Sequence, residues 1–147
     1  MTGPTVKQIS VFIENKSGRV SEVTGILGDA GVNIRGFSVS DTAEYGILRL
    51  VVDKPEDAER ALKSAGFTVR VDDVICIDVP DVPGGLAGVL KAVSSAGVNI
   101  EYVYSLVATL VVINVADVGK ALRLLEGKPV RLVSQEDIAA VRPSVQG

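Results

Sequence analysis

The sequence has 147 residues, of which 47% are hydrophobic, so it is long enough to bury a core in one domain or in two very small ones. Fifteen Lys and Arg residues against 18 Asp and Glu residues give a net charge of −3, the wrong sign for a protein that neutralises phosphates. The chain contains no His and a single Cys, Cys76, which excludes a His-based hydrolytic triad, a thiolate metal cage and an internal disulfide. We predict no catalytic residue, no metal site and no cofactor.

The first half of the chain predicts the order strand, helix, strand, strand, helix, strand. Apolar residues alternate with period two in the first strand, and those of the first helix follow helical spacing that ends at Gly31. Asp53, a capping candidate, and Pro55 mark the start of the second helix. The predicted elements are Val6 to Ile13, Val20 to Ala30, Ile34 to Ser40, Tyr45 to Val52, Ala58 to Ala65 and Phe67 to Val71.

The second half of the chain repeats the first. Gly31-Val32-Asn33-Ile34 recurs as Gly97-Val98-Asn99-Ile100. The apolar pattern of the second helices aligns Ala58 with Val118. This pair is six residues closer in the sequence than the pair Gly31 and Gly97, so a six-residue difference is assigned to the connection between the two middle strands. The predicted elements of the second copy are Val74 to Val79, Leu86 to Ala96, Ile100 to Leu106, Ala108 to Ile113, Asp117 to Leu125 and Val130 to Val133.

Both halves therefore have the order βαββαβ, and right-handed crossovers put both helices of each copy on one face of an antiparallel sheet. The fold class that this predicts is α+β, with two tandem ferredoxin-like modules. We place module 1 at residues 1–72 and module 2 at residues 73–147. Roughly 65 residues per module is thin for an independent core, so the halves are expected to pack on each other.

The junction between the modules is short. Only Asp72 and Asp73 separate the strand Phe67 to Val71 from the strand Val74 to Val79, which is hairpin length. One possibility is an exchange, in which the fourth strand of copy one pairs with the first strand of copy two and the last strand returns to Val6 to Ile13. The alternative is a kink that carries the chain onward into a separate module.

The most informative segments are the loops between the first strand and the first helix, Glu14 to Val20 and Pro80 to Leu86. Each places a short polar side chain three residues before a Gly that opens a helix, where free N–H groups and the helix dipole suit an anion. An Asn also begins the following strand and offers a donor and an acceptor. The alternative is that these residues only form turns and caps. The candidate ligand-binding residues are Asn15, Lys16, Ser17, Gly18, Arg19, Val20, Asn33, Ile34, Asp81, Val82, Pro83, Gly84, Gly85, Leu86, Asn99 and Ile100.

These loops and the repeated Gly-Val-Asn-Ile resemble the ACT domain, a small-molecule-sensing βαββαβ module. They are similar in particular to the serine-binding regulatory domain of phosphoglycerate dehydrogenase, in which an Asn-x-Pro-Gly loop and the Asn of Gly-Val-Asn-Ile hold the effector. The resemblance covers about Val6 to Val133 and implies a regulatory amino-acid-binding protein that is not an enzyme. Ser17 replaces the loop Pro, Asp81 replaces the loop Asn, and Ile13 and Val79 stand where the serine sensor has a His. A ligand more apolar than serine and unequal binding by the two loops are therefore expected.

No targeting segment and no apolar run long enough to span a membrane are visible, so we expect a cytoplasmic protein without a membrane partner. The free-standing tandem arrangement resembles two-ACT regulators and implies a protein that modulates a metabolic enzyme. We also expect a homo-oligomer, most simply a dimer, and no nucleic-acid partner. RNA-recognition modules share the βαββαβ order, but they stack bases on aromatic residues of the central strands. The central strands here, Ile9 to Ile13 and Ile47 to Val52, carry aliphatic residues at those positions. The remaining alternative is a scaffold subunit that binds no small molecule.

Three further side chains have open or structural interpretations. Cys76 lies in the middle of a predicted strand, which favours a buried, unreactive thiol. Tyr102 and Tyr104, two residues apart on one strand, share a face that lines either the pocket or the contact between the halves. Arg19 either steers a ligand carboxylate or is a solvated helix-start residue.

Overall fold

The computed structural model describes residues 4–14, 18–41 and 45–141. This part of the chain contains both predicted βαββαβ copies and one further helix. The strands are β1 (Val6–Glu14), β2 (Ile34–Asp41), β3 (Tyr45–Val52), β4 (Thr68–Asp78), β5 (Ile100–Ser105), β6 (Leu110–Val115) and β7 (Arg131–Val133). The helices are α1 (Arg19–Asp29), α2 (Pro55–Ser64), α3 (Gly85–Ser95), α4 (Val118–Leu125) and α5 (Gln135–Ala140). None of the helices in the described ranges is long and apolar enough to cross a membrane.

A single long strand, β4, joins the two copies. Its first part pairs antiparallel with β1 as far as Val74, and from Ile75 it pairs antiparallel with β6. The last strand, β7, pairs with residues 76–78 of β4 and not with β1. Asp72 and Asp73 lie within the β1–β4 ladder. The strand exchange is therefore wrong, because the last strand of each copy pairs with the first strand of the same copy. The chain continues into a second module, as the alternative expects, and it does so within one strand.

The strand registers correct the alignment of the two copies after their second strands. Leu50 pairs with Ile9, and Ile113 pairs with Ile75, so Leu50 and Ile113 are equivalent positions. The N-cap residues of α2 and α4, Lys54 and Asp117, have the same spacing in the sequence as this pair. The predicted alignment of the second helices is wrong, because a shift of three residues is almost one helical turn and leaves an apolar pattern nearly unchanged.

The sheet order is β2-β3-β1-β4-β6-β5, and the apolar residues form three clusters. One cluster lies between α1, α2 and the first half of the sheet, and a second lies between α3, α4 and the other half. The third contains residues on the sheet faces that point away from α1 to α4, including Val6 and Val51 of copy one and Leu110 and Val112 of copy two. The two copies therefore pack on each other, as their small size predicts.

The two ends of this sheet order, β2 and β5, meet. Gly36 forms an isolated antiparallel bridge with Leu106, and the N–H of Val107 donates to the carbonyl of Arg35 at 2.7 Å. A Cβ on Gly36 would overlap the Leu106 side chain and lie 2.9 Å from its Cα. The contact between β2 and the β5–β6 connection, which we call the seam, therefore requires a glycine at this position.

The helix α5 was not predicted from the sequence. Ser134 and Asp137 form a capping box at its start, with N–H to side-chain distances of 3.1 and 3.0 Å. Ile138 is fully buried in the cluster between the copies. Gln135 accepts from the N–H of Lys7 and donates to the carbonyl of Val52, both at 3.0 Å, so the end of copy two is attached to copy one.

Candidate functional site

The first candidate loop delivers the chain into α1 through a glycine. Gly18 is the N-cap residue and has φ of 86°, a left-handed conformation that L side chains rarely adopt. A glycine cap offers no side-chain oxygen to the first-turn N–H groups. Arg19 forms ion pairs with the exposed carboxylates of Glu14 at 3.4 Å and Glu22 at 3.0 Å. Asn15, Lys16 and Ser17, also predicted for this site, lie outside the described residues.

Two of the predicted residues, Val20 of α1 and Ile34 of β2, line one cavity of about 590 Å³. This cavity, which we call the seam cavity, is completed by residues 105–107 of the other copy. Asn33 is exposed and is not among its lining residues. The backbone of Asn33 is instead tied to Asp53, whose carboxylate accepts from the Asn33 N–H at 2.8 Å. Asp53 thus does not cap α2, contrary to the sequence expectation.

Arg35, which sequence reasoning missed, is also among the residues that line the seam cavity, and its guanidinium donates to the Ala139 carbonyl of α5. Ile34 pairs with Val52 and Gly36 pairs with Val51, which leaves Arg35 as the extra residue of a β-bulge in β2. Bulges redirect side chains, and Arg35 is only 8% exposed. A lone glycine within a strand is a sequence signal for a bulge, so Gly36 could have indicated this irregularity.

The second candidate loop lines a separate cavity of about 620 Å³ together with residues 128–131. Val82, Pro83, Gly84 and Gly85 contribute to it. Gly84 repeats the left-handed N-cap of copy one, with φ of 79°. A Cβ on Gly85 would overlap the Pro80 carbonyl oxygen, so this loop folds tightly on itself.

The other predicted residues of copy two do not join that cavity. Asp81 and Leu86 are exposed, and neither lines it. Asn99 is exposed, and Ile100 pairs with Val115 in the β5–β6 ladder. The structure therefore brings predicted residues of loop and strand together in copy one, through Val20 and Ile34, but not in copy two.

The two tyrosines of β5 lie at the contact between the copies. Gln8, only 2% exposed, donates to the Tyr102 hydroxyl at 2.8 Å and accepts from the Tyr104 hydroxyl at 2.7 Å. The tyrosine rings stack with centroids 6.2 Å apart, and the Arg49 guanidinium lies 4.3 Å from the centroid of the Tyr102 ring. Burial raises the pKa of Tyr104. These side chains satisfy one another, which is the arrangement that a buried polar network needs.

Two further features bear on reactivity, the thiol of Cys76 and the side chains that could bind a metal ion. Cys76 is fully buried, as predicted, and burial raises the pKa of its thiol to about 12. A thiol with so high a pKa is a poor nucleophile. Among the described residues, no three His, Cys, Asp or Glu side chains are grouped to hold a metal ion.

Two duplicated βαββαβ modules that share one strand have the architecture of a regulatory ACT-type fold. A family model described as an ACT domain pair matches residues 4–141, so the chain belongs to that family. The crystal structure of a protein from Bacteroides thetaiotaomicron is similar, with a TM-score of 0.85 and 40% sequence identity over 93% of this chain and 97% of that chain.

Two more distant structures share the fold. They are regulatory subunits of aspartate kinase, from Thermus thermophilus in a ligand-free form and from Thermus flavus. Their TM-scores are 0.61 and 0.56 at 20% and 19% identity, covering 86% of this chain and 93% and 94% of theirs. The comparison with curated proteins gave no match.

Proposed function

We propose that this protein is a regulator that binds an amino acid in the seam cavity and passes its occupancy to a partner enzyme. The observation that carries the proposal is that the two copies build this cavity jointly: Val20 and Ile34 come from the predicted site of copy one, and residues 105–107 come from copy two. A volume of about 590 Å³ falls within the range of about 300 to 1,000 Å³ that is usual for small-molecule sites.

The same position gives the ligand a route to regulation. The seam is one of the places where the two copies meet, and Leu106 belongs both to the seam and to the cavity wall. A ligand that prefers one arrangement of the seam shifts the population of that arrangement by its difference in affinity. The partner in this proposal is an enzyme of amino-acid metabolism, since regulatory subunits of aspartate kinase share the fold. The proposed active species is a homodimer.

Isothermal titration calorimetry of the full chain with each of the twenty amino acids tests the proposal. We expect at least one saturable ligand, with apolar amino acids favoured by the walls of the cavity. Val20→Trp places a bulky ring at the cavity from a side chain that is already 36% exposed, so it should abolish binding without unfolding the protein.

Leu86→Trp is the matched control, because Leu86 is the equivalent position in copy two and is 46% exposed. It should bind like the wild type. Loss of binding in Leu86→Trp, with retention in Val20→Trp, would move the site to the loop of copy two. No heat with any amino acid would favour the scaffold subunit instead.

A further inference from the structure

A second cavity between the two copies, which we call the polar cleft, lies beside Tyr102 and has a volume of about 610 Å³. Copy one lines it with the sheet face of β1, β3 and β4 that points away from α1 and α2. Copy two lines it with the start of β5, the end of β6 and the start of α4. Five of the lining residues are charged: Arg49, Arg70, Asp72, Asp73 and Glu101.

Three of these five charges are neutralised by ion pairs. Asp72 bonds to Arg70 at 3.0 Å, and Asp73 bonds to a lysine of β1 at 2.7 Å. Within the described ranges, none of the salt bridges includes Arg49 or Glu101. The polar cleft therefore has one unpaired cation, from copy one, and one unpaired anion, from copy two.

The Arg49 guanidinium is held in place without being neutralised. It lies 4.3 Å from the centroid of the Tyr102 ring, and Nη1 donates to the Ser40 hydroxyl at 3.1 Å. The Tyr102 hydroxyl is itself fixed by the buried Gln8 amide at 2.8 Å. A guanidinium has five N–H donors, and one that stacks on a ring keeps its edge available for a carboxylate. Arg49 is therefore a positioned donor with bonding capacity left.

Ser10 lies beside Arg49 in the polar cleft. The two residues are directly opposite each other in the β1–β3 ladder, and Ser10 is only 6% exposed. Among the described residues, none of the side-chain hydrogen bonds includes the Ser10 hydroxyl. Buried hydroxyl groups usually have a partner. A ligand oxygen at this place would receive hydrogen bonds from a guanidinium and from a hydroxyl group.

Glu101 supplies the opposite charge from copy two. Its carboxylate accepts from the Asn114 amide at 2.9 Å, and Asn114 pairs with Tyr102, the residue on which Arg49 stacks. A neutral amide orients a carboxylate but leaves its charge in place. The unpaired acid and the unpaired base are thus both arranged around Tyr102 in one cleft.

We propose that the polar cleft is a second binding site and takes a zwitterion, an α-amino acid with a polar side chain. Arg49 and Ser10 bind its carboxylate, and Glu101 binds its ammonium group. Opposite charges on the two walls favour a ligand that carries both charges, because an ion of one sign would be attracted by one wall and repelled by the other. More of the cleft surface is polar than apolar, which suits a polar side chain. This site is separate from the seam cavity and goes beyond the proposed function.

Calorimetry of the full-length wild type with matched probes tests whether both charges of the ligand are recognised. The probes are L-serine, L-threonine, L-asparagine and L-glutamine. Each is compared with its α-carboxamide, which lacks the carboxylate, and with its deaminated acid, which lacks the ammonium group. For an amino acid that binds, both derivatives should bind about 10- to 100-fold more weakly. A derivative that binds as tightly as its parent amino acid would overturn the inference.

Two variants test the walls of the cleft. Glu101→Gln removes the charge but keeps an oxygen for the Asn114 amide, so it should weaken binding of the amino acid about 10- to 100-fold without weakening the deaminated acid. Arg49→Gln should weaken the amino acid by a similar factor without weakening the carboxamide. Glu126→Gln is the matched control, because it removes an exposed carboxylate of copy two that does not line the cleft, and it should bind like the wild type.

Circular dichroism checks that the three variants fold. If Arg49→Gln does not fold, the exposed position Glu101 and the wild-type probe series decide. Full affinity for the amino acid in Glu101→Gln would refute the ammonium contact and with it the zwitterion site.

Val20→Trp separates this site from the seam cavity. Val20 does not line the polar cleft, so a polar amino acid in the cleft should bind this variant as it binds the wild type. If every amino acid that binds is lost in Val20→Trp and kept in Glu101→Gln, the proposed function stands and the inference fails. If polar amino acids are lost in Glu101→Gln and kept in Val20→Trp, the inference stands whether or not the seam cavity is filled. If none of the four polar amino acids binds the wild type, the inference fails.

Discussion

The second strands of the two copies, β2 and β5, contain the same backbone irregularity in different surroundings. Arg35 is the bulged residue of β2, and Glu101, its equivalent in the repeat, is the bulged residue of β5. Arg35 is buried at the seam, whereas Glu101 is exposed and accepts from the Asn114 amide at 2.9 Å. The bulge is thus a feature of the duplicated backbone, and the burial of the side chain depends on what covers the bulge.

A single residue difference explains why the bulge of β2 is covered by the other copy whereas the bulge of β5 is exposed. Gly36 allows the Leu106 backbone to approach β2 closely, but copy two has Tyr102 at the equivalent position. A tyrosine ring prevents a second seam of the same kind, and Tyr102 bonds to Gln8 instead. The copies consequently meet in a closed seam near Gly36 and leave a polar cleft of about 610 Å³ near Tyr102.

Breaking the seam should have the largest effect on stability. In Gly36→Ala the new Cβ would lie 2.9 Å from Leu106 Cα, so the backbone of β2 or of the β5–β6 connection must move. We expect the free energy of unfolding to fall by about 2 to 3 kcal/mol. Urea denaturation followed by circular dichroism measures this loss.

Gly25→Ala is the control for that experiment. Gly25 lies in α1 with nothing within 4 Å of an added Cβ. The substitution should be neutral or should raise stability by up to about 1 kcal/mol, because alanine is the better helix former. Equal stabilities of Gly36→Ala and Gly25→Ala would show that the seam does not close in solution.

The first strands of the copies differ in a titratable group. Ser10 in β1 corresponds to Cys76 in β4, and both side chains are buried. The fold raises the thiol pKa from 9.0 to about 12, so it favours the neutral thiol. This contribution to stability is fully present below pH 9 and is lost as the pH rises from 9 towards 12.

The thiol should therefore make the stability of copy two dependent on alkaline pH. Between about pH 8 and about pH 10.5, the stability advantage of the wild type over Cys76→Val should shrink by about 2 kcal/mol. Denaturation of both proteins across this pH range measures the change. The difference between wild type and Ser10→Ala should stay constant, because serine does not titrate there. A constant difference for Cys76→Val would mean that the thiolate is not excluded from the fold.

Repetition made much of the fold predictable from the sequence. Apolar periodicity and helix-ending glycines occur twice, so each copy supports the interpretation of the other. The predicted loop glycines Gly18 and Gly84 indeed open α1 and α3. The seam cavity was only half predictable, because Val20 and Ile34 belong to the repeated motifs whereas its other wall comes from a connection distant in sequence.

The failures have physical causes of two kinds. Asp72 and Asp73 suggested a break between strands, but Asp73 is bonded to Lys7 across the β1–β4 ladder at 2.7 Å and Asp72 to Arg70 at 3.0 Å. Such ion pairs make these aspartates compatible with a strand. The burial of Arg35 depends on a bulge and on contacts with copy two, and neither leaves a periodic signal in the local sequence.

The second helices of the two copies, α2 and α4, differ at their N-caps, and this difference should have the smallest effect on stability. Asp117 caps α4 by accepting from the Lys120 N–H at 3.0 Å, whereas its equivalent in copy one, Lys54, makes no side-chain cap to α2. Asp117→Ala should therefore lower the free energy of unfolding by about 1 kcal/mol, and Lys54→Ala should change it by less than about 0.5 kcal/mol. Lys54→Asp gives α2 the missing cap and places an acidic residue at the positive end of the helix dipole. The substitution loses the 3.3 Å hydrogen bond from Lys54 to the Gly31 carbonyl. The net result should be a rise in the free energy of unfolding of about 0.5 kcal/mol. Thermal unfolding of the three variants ranks them, and equal losses for Asp117→Ala and Lys54→Ala would contradict the assigned difference between the two helix starts.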